Sequence, residues 1–403
     1  MRSTSCKQLA EELLAQCVAG KPPKKLPLVL LQEACAQALF GTLVEGLADR
    51  FEPALCDAYA RLFAQALASV DPSWDAVSLV ARYERVRRPR PITGKPQRVL
   101  VLSRVTLGAD VAVTSVLLAA AKRRFPHAEI VFVGPRKNYE LFAGDPHVHH
   151  IPLEYRRGGL HDRLAAGTAL KEIAAAPGSI VIDPDSRITQ LGLLPVCGEE
   201  RYYLFESRAY GATTSRNLPE LAADWARETL GVSGVKPFVC LGPPLPKMPA
   251  ITVSFGVGEN RAKRVSDLFE MEVLKLLNQT GLSLCIDKGG TAAEAERVQA
   301  ALERSGVHAA VWHGSFAGFA SQIASSRLYV GYDSAGQHVA AACGIPLISI
   351  FAGFPSPRML ARWSPPGERC RIIPVERPDT EVVLNLVRES LPAVLGSAAG
   401  TEA

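Results

Sequence analysis

Binding an anion and removing a proton both need particular side chains at the ends of strands, and several stretches of this sequence supply them. The first runs Val330-Gly331-Tyr332-Asp333-Ser334-Ala335-Gly336-Gln337-His338, continues through an alanine run to Gly344 and Pro346, and ends in the apolar segment Leu347 to Phe351. It reads as a strand ending at Asp333, a helix opened by the N–H groups of Ser334, Ala335 and Gly336, and a second strand. Free N–H groups at a helix N-terminus attract anions. Asp333 and His338 beside them can bond sugar hydroxyls or a diphosphate. A histidine one turn into a helix is more often structural than a ligand, so both roles stay open for His338. The second stretch is Gly256-Val257-Gly258-Glu259-Asn260-Arg261-Ala262-Lys263-Arg264. Two glycines and three cations ahead of a helix suit a phosphate cradle, with Lys263 or Arg264 reaching the charge. A solvated basic helix start is the competing reading, and Asp287-Lys288-Gly289-Gly290-Thr291 is a further glycine-rich turn of the same kind.

The carboxylate most suited to proton removal is Asp110. It follows Ser103-Arg104-Val105-Thr106-Leu107-Gly108-Ala109 and starts an Ala/Leu-rich helix. Facing a cleft, it would be a general base for an acceptor hydroxyl; held by the helix start, it would be only an N-cap, worth about 1 kcal/mol. Arg187, after Asp183-Pro184-Asp185-Ser186, and Arg208, after Glu206-Ser207, are cations that can fork onto an acidic or phosphorylated acceptor, with Thr106 and Gly108 nearby in the chain.

These loops need strands and helices to hold them. From residue 98, short β-branched runs alternate with helical windows, as parallel βαβ units do. The expected strands are 99–102, 129–133, 148–151, 179–182 and 202–205, then 250–255, 282–286, 309–312, 328–331 and 347–351. The proline-rich stretch from Leu241 to Pro249 between the two series reads as a hinge. The fold class is therefore α/β, with two doubly wound parallel-sheet domains facing a cleft. Ahead of them the chain shows helical signals only, among them Leu55, Tyr59, Leu62, Phe63 and Leu67 behind Pro53. The expected domains are 1–92, helical with a basic linker; 93–246, the first half; and 247–403, the second half, to which the family resemblance given below assigns the acceptor and the donor respectively.

The 403 residues carry 45 Lys plus Arg against 40 Asp plus Glu, a net charge of +5. That is well short of the cationic face nucleic-acid binding requires. Arg82, Arg85, Arg87, Arg88, Arg90, Lys95 and Arg98 against Glu84 concentrate about +6 in one stretch. This reads as a solvated linker or as a strip resting on anionic headgroups at the inner face of a membrane. Nine scattered cysteines without metal-ligand spacing point to free thiols, no zinc and no disulfide framework. With no apolar stretch near Met1 and no long uninterrupted apolar run, cytoplasm is the expected location.

The segment 330–353 resembles the D-[ST]-G-x-x-H-x-A-A-A…P-x-[IV]-x-[IL]-[FY]-G pattern of glycosyltransferase family 9, heptosyltransferase-like enzymes of bacterial surface glycan synthesis. Thr106-Leu107-Gly108-Ala109-Asp110 is similar to its S-x-L-G-D loop, whose aspartate is the proposed base. Lys263 is similar to the phosphate-contacting lysine of its K-R-W segment. The resemblance spans about residues 98 to 390. It implies a GT-B fold, a nucleotide-diphosphate sugar as co-substrate with an ADP-sugar favoured, no metal or other cofactor, a glycan or glycolipid acceptor, and inverting transfer. Three departures stand out: Ala109 inserted before Asp110, which leaves open where Asp110 points; Ala335 in a glycine position; and Val265 in place of tryptophan. A GT-B-like scaffold without activity and a sugar-nucleotide epimerase are the alternative functions.

Overall fold

The computed structural model describes residues 5–242, 250–258 and 260–396. The centre of the expected hinge, 243–249, and Glu259 of the glycine loop lie outside the described residues.

Two parallel sheets form the frame. The first contains β1 (Arg98–Leu102), β2 (Glu129–Gly134), β3 (His149–Pro152), β4 (Ser179–Asp183) and β5 (Tyr202–Leu204), in spatial order β3-β2-β1-β4-β5. The second contains β6 (Ile251–Ser254), β7 (Leu284–Asp287), β8 (Ala310–Trp312), β9 (Leu328–Tyr332), β10 (Leu347–Ala352) and β11 (Cys370–Val375), in order β11-β10-β9-β6-β7-β8. Ten strands lie where hydrophobic runs place them. The eleventh, β11, carries Pro374, which cannot donate to a ladder; an edge position accommodates it. In each sheet the chain reverses direction of travel once, between β1 and β4 and between β6 and β9. Such switch points open a crevice beyond the strand C-termini, and the loops 103–110, 184–191, 255–263 and 333–338 all lie there.

The helical region is not a separate body. Its helices include Cys6–Val18, a π-helical Gln37–Val44 that runs into Glu45–Ala48, Pro53–Val70 behind its N1 proline, and Ala76–Val86, where the Asp75 carboxylate accepts from Ser78 N. Successive strand residues point to opposite faces. Leu100, Leu102, Val131, Val133 and Val181 accordingly share one apolar cluster with Leu55, Tyr59, Phe63 and Leu67 of the helices. Val99, Val101, Ile130, Phe132 and Ile182 face the helices Ser115–Arg124 and Leu218–Leu230 on the other side. The expected boundary near residue 92 is thus corrected: the helices are one outer layer of the first sheet, and their apolar stripes alone could not reveal what they cover.

The basic strip is corrected as well. The helix Ala76–Val86 runs through Arg82 and Arg85, and five of the seven cations are held by the protein. Arg82 is buried, donating to Gly192 O (3.0 Å) with its guanidinium over the Tyr202 ring. Arg87 pairs with Asp57 (2.6 Å) and Glu206 (2.7 Å), Arg85 with Glu199 (2.7 Å), and Arg98 with Glu129 (2.6 Å). Arg90 donates to Tyr202 O (3.2 Å) and lies over the Tyr203 ring. The partners are distant in sequence, so the run looked unpaired. Cys6 and Cys35 are joined in a disulfide, correcting the expectation of free thiols throughout; seven other cysteines are free. No helix among the described residues is long and apolar enough to cross a membrane.

Removing the Arg87 guanidinium strips Glu206, 4% exposed, of its nearest cation. Arg87→Met is therefore expected to lower the unfolding free energy by about 3 kcal/mol, measured as a lower urea midpoint at unchanged slope.

Candidate functional site

In the second half, the end of β9 builds a polar corner around Asp333. The Asp333 carboxylate accepts from Lys263 Nζ at Oδ2 (2.6 Å) and from Gln337 Nε2 at Oδ1 (2.5 Å). Lys263 stands on a 3-10 turn, Arg261–Lys263, where the Asn260 side chain accepts from Ala262 N. Ser334 is the N-cap of the helix Ala335–Ala342, and its side chain makes no capping bond. At Gly336 a Cβ would lie 2.2 Å from the Tyr329 hydroxyl, so only glycine lets this helix start pack on the sheet. His338 is buried, and burial pushes its pKa down to about 4, leaving a neutral ring at pH 7.

The Gly256 to Gly258 loop does not offer a free cradle. Glu294 Oε1 accepts from Val257 N (3.3 Å), Oε2 accepts from Gly290 N (2.8 Å), and Ser254 Oγ accepts from Gly256 N (3.4 Å). The protein's own groups thus hold the N–H groups of Gly256, Val257 and Gly290, while Gly258 lines the larger cavity. Arg264 is likewise committed, to Glu270 and Asp267. Of the cations in that loop, Lys263 is the one that lines the cavities between the halves.

In the first half, Asp110 is fully buried. Ser103 Oγ and Asn138 Nδ2 donate to its Oδ2 (both 2.6 Å), and Arg104 N (2.7 Å) and Thr114 Oγ1 (2.6 Å) donate to Oδ1. An ionised carboxylate has about four lone-pair sites, and four donors fill them. Burial still raises its pKa, against those hydrogen bonds. Asp110 lines neither cavity described below. The short turn Leu107–Ala109 passes directly into a π-helical Asp110–Thr114. Ala109 is left at the cleft wall.

Two adjoining cavities lie between the halves. The smaller, about 220 Å³, is lined by Thr106, Gly108, Ala109, Lys263, Asp333, Ser334, Ala335, His338 and Trp363. It brings together residues that the sequence reading placed on opposite sides. Gly108 makes this possible: a Cβ there would lie 3.0 Å from His338 Cδ2 and 3.1 Å from Ala335 Cα. The larger, about 390 Å³, shares Thr106, Ala109, Lys263 and Trp363 and adds Arg104, Arg187 and Arg208 from the first half and Asp49 and Phe51 from the helical layer. Among the described residues five non-glycine residues have left-handed backbones, and four of them, Phe51, Val105, Asp185 and Leu191, line this cavity. Such conformations are costly and cluster at functional sites.

Arg187 reaches the larger cavity with no hydrogen bond to its guanidinium among the described residues. Arg208 does not act freely: it is 2% exposed, donates through Nε to Asp185 (2.9 Å) and lies over the Tyr59 ring. Burial pushes Asp185 up, but Arg208 and Arg104 outweigh it and hold its carboxyl below the usual range. The Asp-Pro-Asp pair is thus divided, because Asp183 accepts from Thr189, Tyr202 and Ser186. Among the described residues no group of three or more His, Cys, Asp or Glu side chains could hold a metal.

The sequence reading missed Asp49, Phe51, Arg104 and Trp363 as site residues. Trp363 ends the helix Pro357–Trp363, which bridges all three layers: Arg358 donates to Phe51 O (3.1 Å), Arg362 to Gly211 O (2.7 Å), and the Phe51 ring meets Trp363 edge-on. A tryptophan in a polar stretch was the one available signal.

The family model described as glycosyltransferase family 9 (heptosyltransferase) matches residues 266–381, a span that contains Asp333 to His338 and Trp363 but neither Lys263 nor Asp110. The structure resembles a family 9 glycosyltransferase from Veillonella parvula, with TM-score 0.59 and 16% identity over 76% of this chain and 99% of that one. It also resembles E. coli heptosyltransferase WaaC with ADP, at 0.58 and 18% over 74% and 99%, and E. coli ADP-heptose LPS heptosyltransferase II, at 0.52 and 19% over 74% and 98%. These likenesses establish the GT-B arrangement of two parallel-sheet domains. No curated protein matches the chain.

With four donors and no cation, the Asp110 carboxylate is a structural tie. Asp110→Asn turns an amide N–H₂ toward two of those donors. It is expected to cost about 1–3 kcal/mol of stability, read by urea unfolding.

Proposed function

We infer that this chain, a glycosyltransferase whose second half belongs to family 9, moves a sugar from a nucleotide-diphosphate donor to an anionic glycan or glycolipid acceptor with inversion at the anomeric carbon. The observation that carries the reading is the smaller cavity, where Lys263 and the N–H groups of Ser334, Ala335 and Gly336 meet Thr106 to Ala109 of the opposite half. Lys263 and the helix start supply the positive charge that a leaving diphosphate needs, without calling on a metal ion. An ADP-sugar is the first candidate donor, since one of the structures similar to this chain holds ADP and another is named for ADP-heptose. Asp333 and His338 are the groups proposed to bond the donor, His338 as a neutral ring.

The acceptor belongs in the larger cavity, which adjoins the donor site at Thr106, Ala109, Lys263 and Trp363. Arg104 and the unbonded Arg187 favour a carboxylate or phosphate on the acceptor sugar. Placing acceptor and donor in adjoining cavities supplies the orientation that direct displacement requires. The burial of Asp110 favours a second reading, a protein that binds the donor without consuming it, and turnover of the donor separates the two.

Thermal unfolding with ADP-, UDP-, GDP- and CDP-sugars tests the assignment. A donor at 100 times its Kd should stabilise the chain by about 2.7 kcal/mol. Lys263→Ala should lose most of that shift, measured against its own ligand-free midpoint. Absence of a shift with every nucleotide sugar would overturn the reading.

A further inference from the structure

With Asp110 sealed in the core, a transfer reaction here still needs a group to receive the acceptor's proton. Among the described residues three acids line the larger cavity: Glu45, Asp49 and Asp185. Asp185 is committed to Arg208 and Ser207. Glu45 lies on the exposed rim. The Asp49 carboxylate is half-buried in the wall, and no hydrogen bond or ion pair engages it among the described residues. Its backbone N–H closes the last turn of the helix Glu45–Ala48 by donating to Glu45 O (2.8 Å).

We propose that Asp49, carried into the cleft by the N-terminal helical layer, is the catalytic base of this chain. The proposal rests on the transfer reading above and supplies the residue that reading lacks. The chain around Asp49 is fixed as a catalytic site would require. Phe51 turns it through a left-handed backbone (φ 56°), its carbonyl accepts from Arg358, and its ring meets Trp363 of the donor-side half. The helix that follows is tied to the first half by Tyr59, whose hydroxyl donates to Gln190 O (3.0 Å). Asp49 thereby sits in the cavity that shares Thr106, Ala109, Lys263 and Trp363 with the donor site.

The charges facing Asp49 suit the role. Burial raises its pKa to about 6, Arg187 pulls it down, Glu45 one turn earlier pushes it up, and Lys263 and Arg104 pull it down. Such a group is mostly ionised at pH 7.5 and still basic enough to accept a proton. In the step itself, the acceptor O–H bond breaks and its proton passes to a carboxylate oxygen of Asp49. The freed oxygen forms the bond to the anomeric carbon. The bond from that carbon to the diphosphate oxygen breaks with its electron pair, and the new charge on the nucleoside diphosphate meets Lys263 and the N–H groups at Ser334 to Gly336. The ionised carboxylate is the active form, so the rate should fall as pH drops through about 6.

The test uses the full chain, the nucleotide sugar that gives the largest thermal shift, with ADP-heptose tried first, and release of nucleoside diphosphate with water as acceptor. Asp49→Asn should lower kcat about 100- to 10,000-fold while keeping the donor's thermal shift, and the acid limb near pH 6 should disappear from the residual rate. Asp49→Gly should regain activity with added formate, a rescue that loss of a purely structural contact would not give. Full rate in Asp49→Asn, loss of the donor's thermal shift in that variant, or no formate rescue would each overturn the proposal. If no nucleotide sugar shifts the wild-type chain, the transfer reading fails and the base assignment with it. If the donor binds and turns over equally in both chains, the base assignment alone fails.

Discussion

A carboxylate buried without a cation is tolerated only when hydrogen bonds fill its lone pairs, and the cleft of this protein is organised around one that meets that condition. Asp110 gathers the end of β1 through Ser103 and Arg104, the next helix through Thr114, and the loop after β2 through Asn138. Once these are tied, the course of residues 104–109 is set. Arg104 can then donate to Pro184 O and Ser207 Oγ (both 2.6 Å), and Gly108 meets the helix of the opposite half. The price is chemical: the side chain that holds the loop in place cannot also face a substrate.

The helical layer contributes to the cleft in two ways. It covers the face of the first sheet that carries Leu100, Val131 and Val181, so its first contribution is burial of apolar surface. Its second is positional. One end of the layer reaches the switch point, where Phe51 packs against Trp363 and Asp49 enters the cavity wall. Three parts of the chain therefore meet at one place, and the helix Pro357–Trp363 holds them through backbone acceptors on each. A mutation in the helical layer is expected to act on the cleft as well as on stability, because both depend on the same contacts.

Much of the charge that looks available in the sequence is internal. Arg82, Arg87, Arg208 and Arg264 are all held by carbonyls or carboxylates, and Glu294 occupies backbone donors that a phosphate would otherwise meet. What remains directed into the cleft is a small set, chiefly Arg187 and Lys263, the latter paired with Asp333 (2.6 Å). A small set is easier to align with a particular charge distribution than a broad basic surface, because each cation must be neutralised or satisfied by the ligand it receives.

The sequence by itself determined the two parallel sheets, the order of ten strands along the chain and the strand-to-helix turn from Asp333 to His338. These depend on local patterns: apolar runs of strand length, small residues at a helix start, and an acid, a serine and a glycine at neighbouring positions. Only the tertiary structure decided which loops face each other and which charged groups are left free. Asp110 and Asp49 show the difference. Both follow short helical segments; Ser103, Arg104 and Thr114 lie near Asp110 in sequence, but only the fold turns them, with Asn138, onto its carboxylate. The donors come from residues as distant as Asn138, and the cations facing Asp49 come from Arg104, Arg187 and Lys263. Electrostatics and burial are properties of neighbours in space, and sequence order does not contain them.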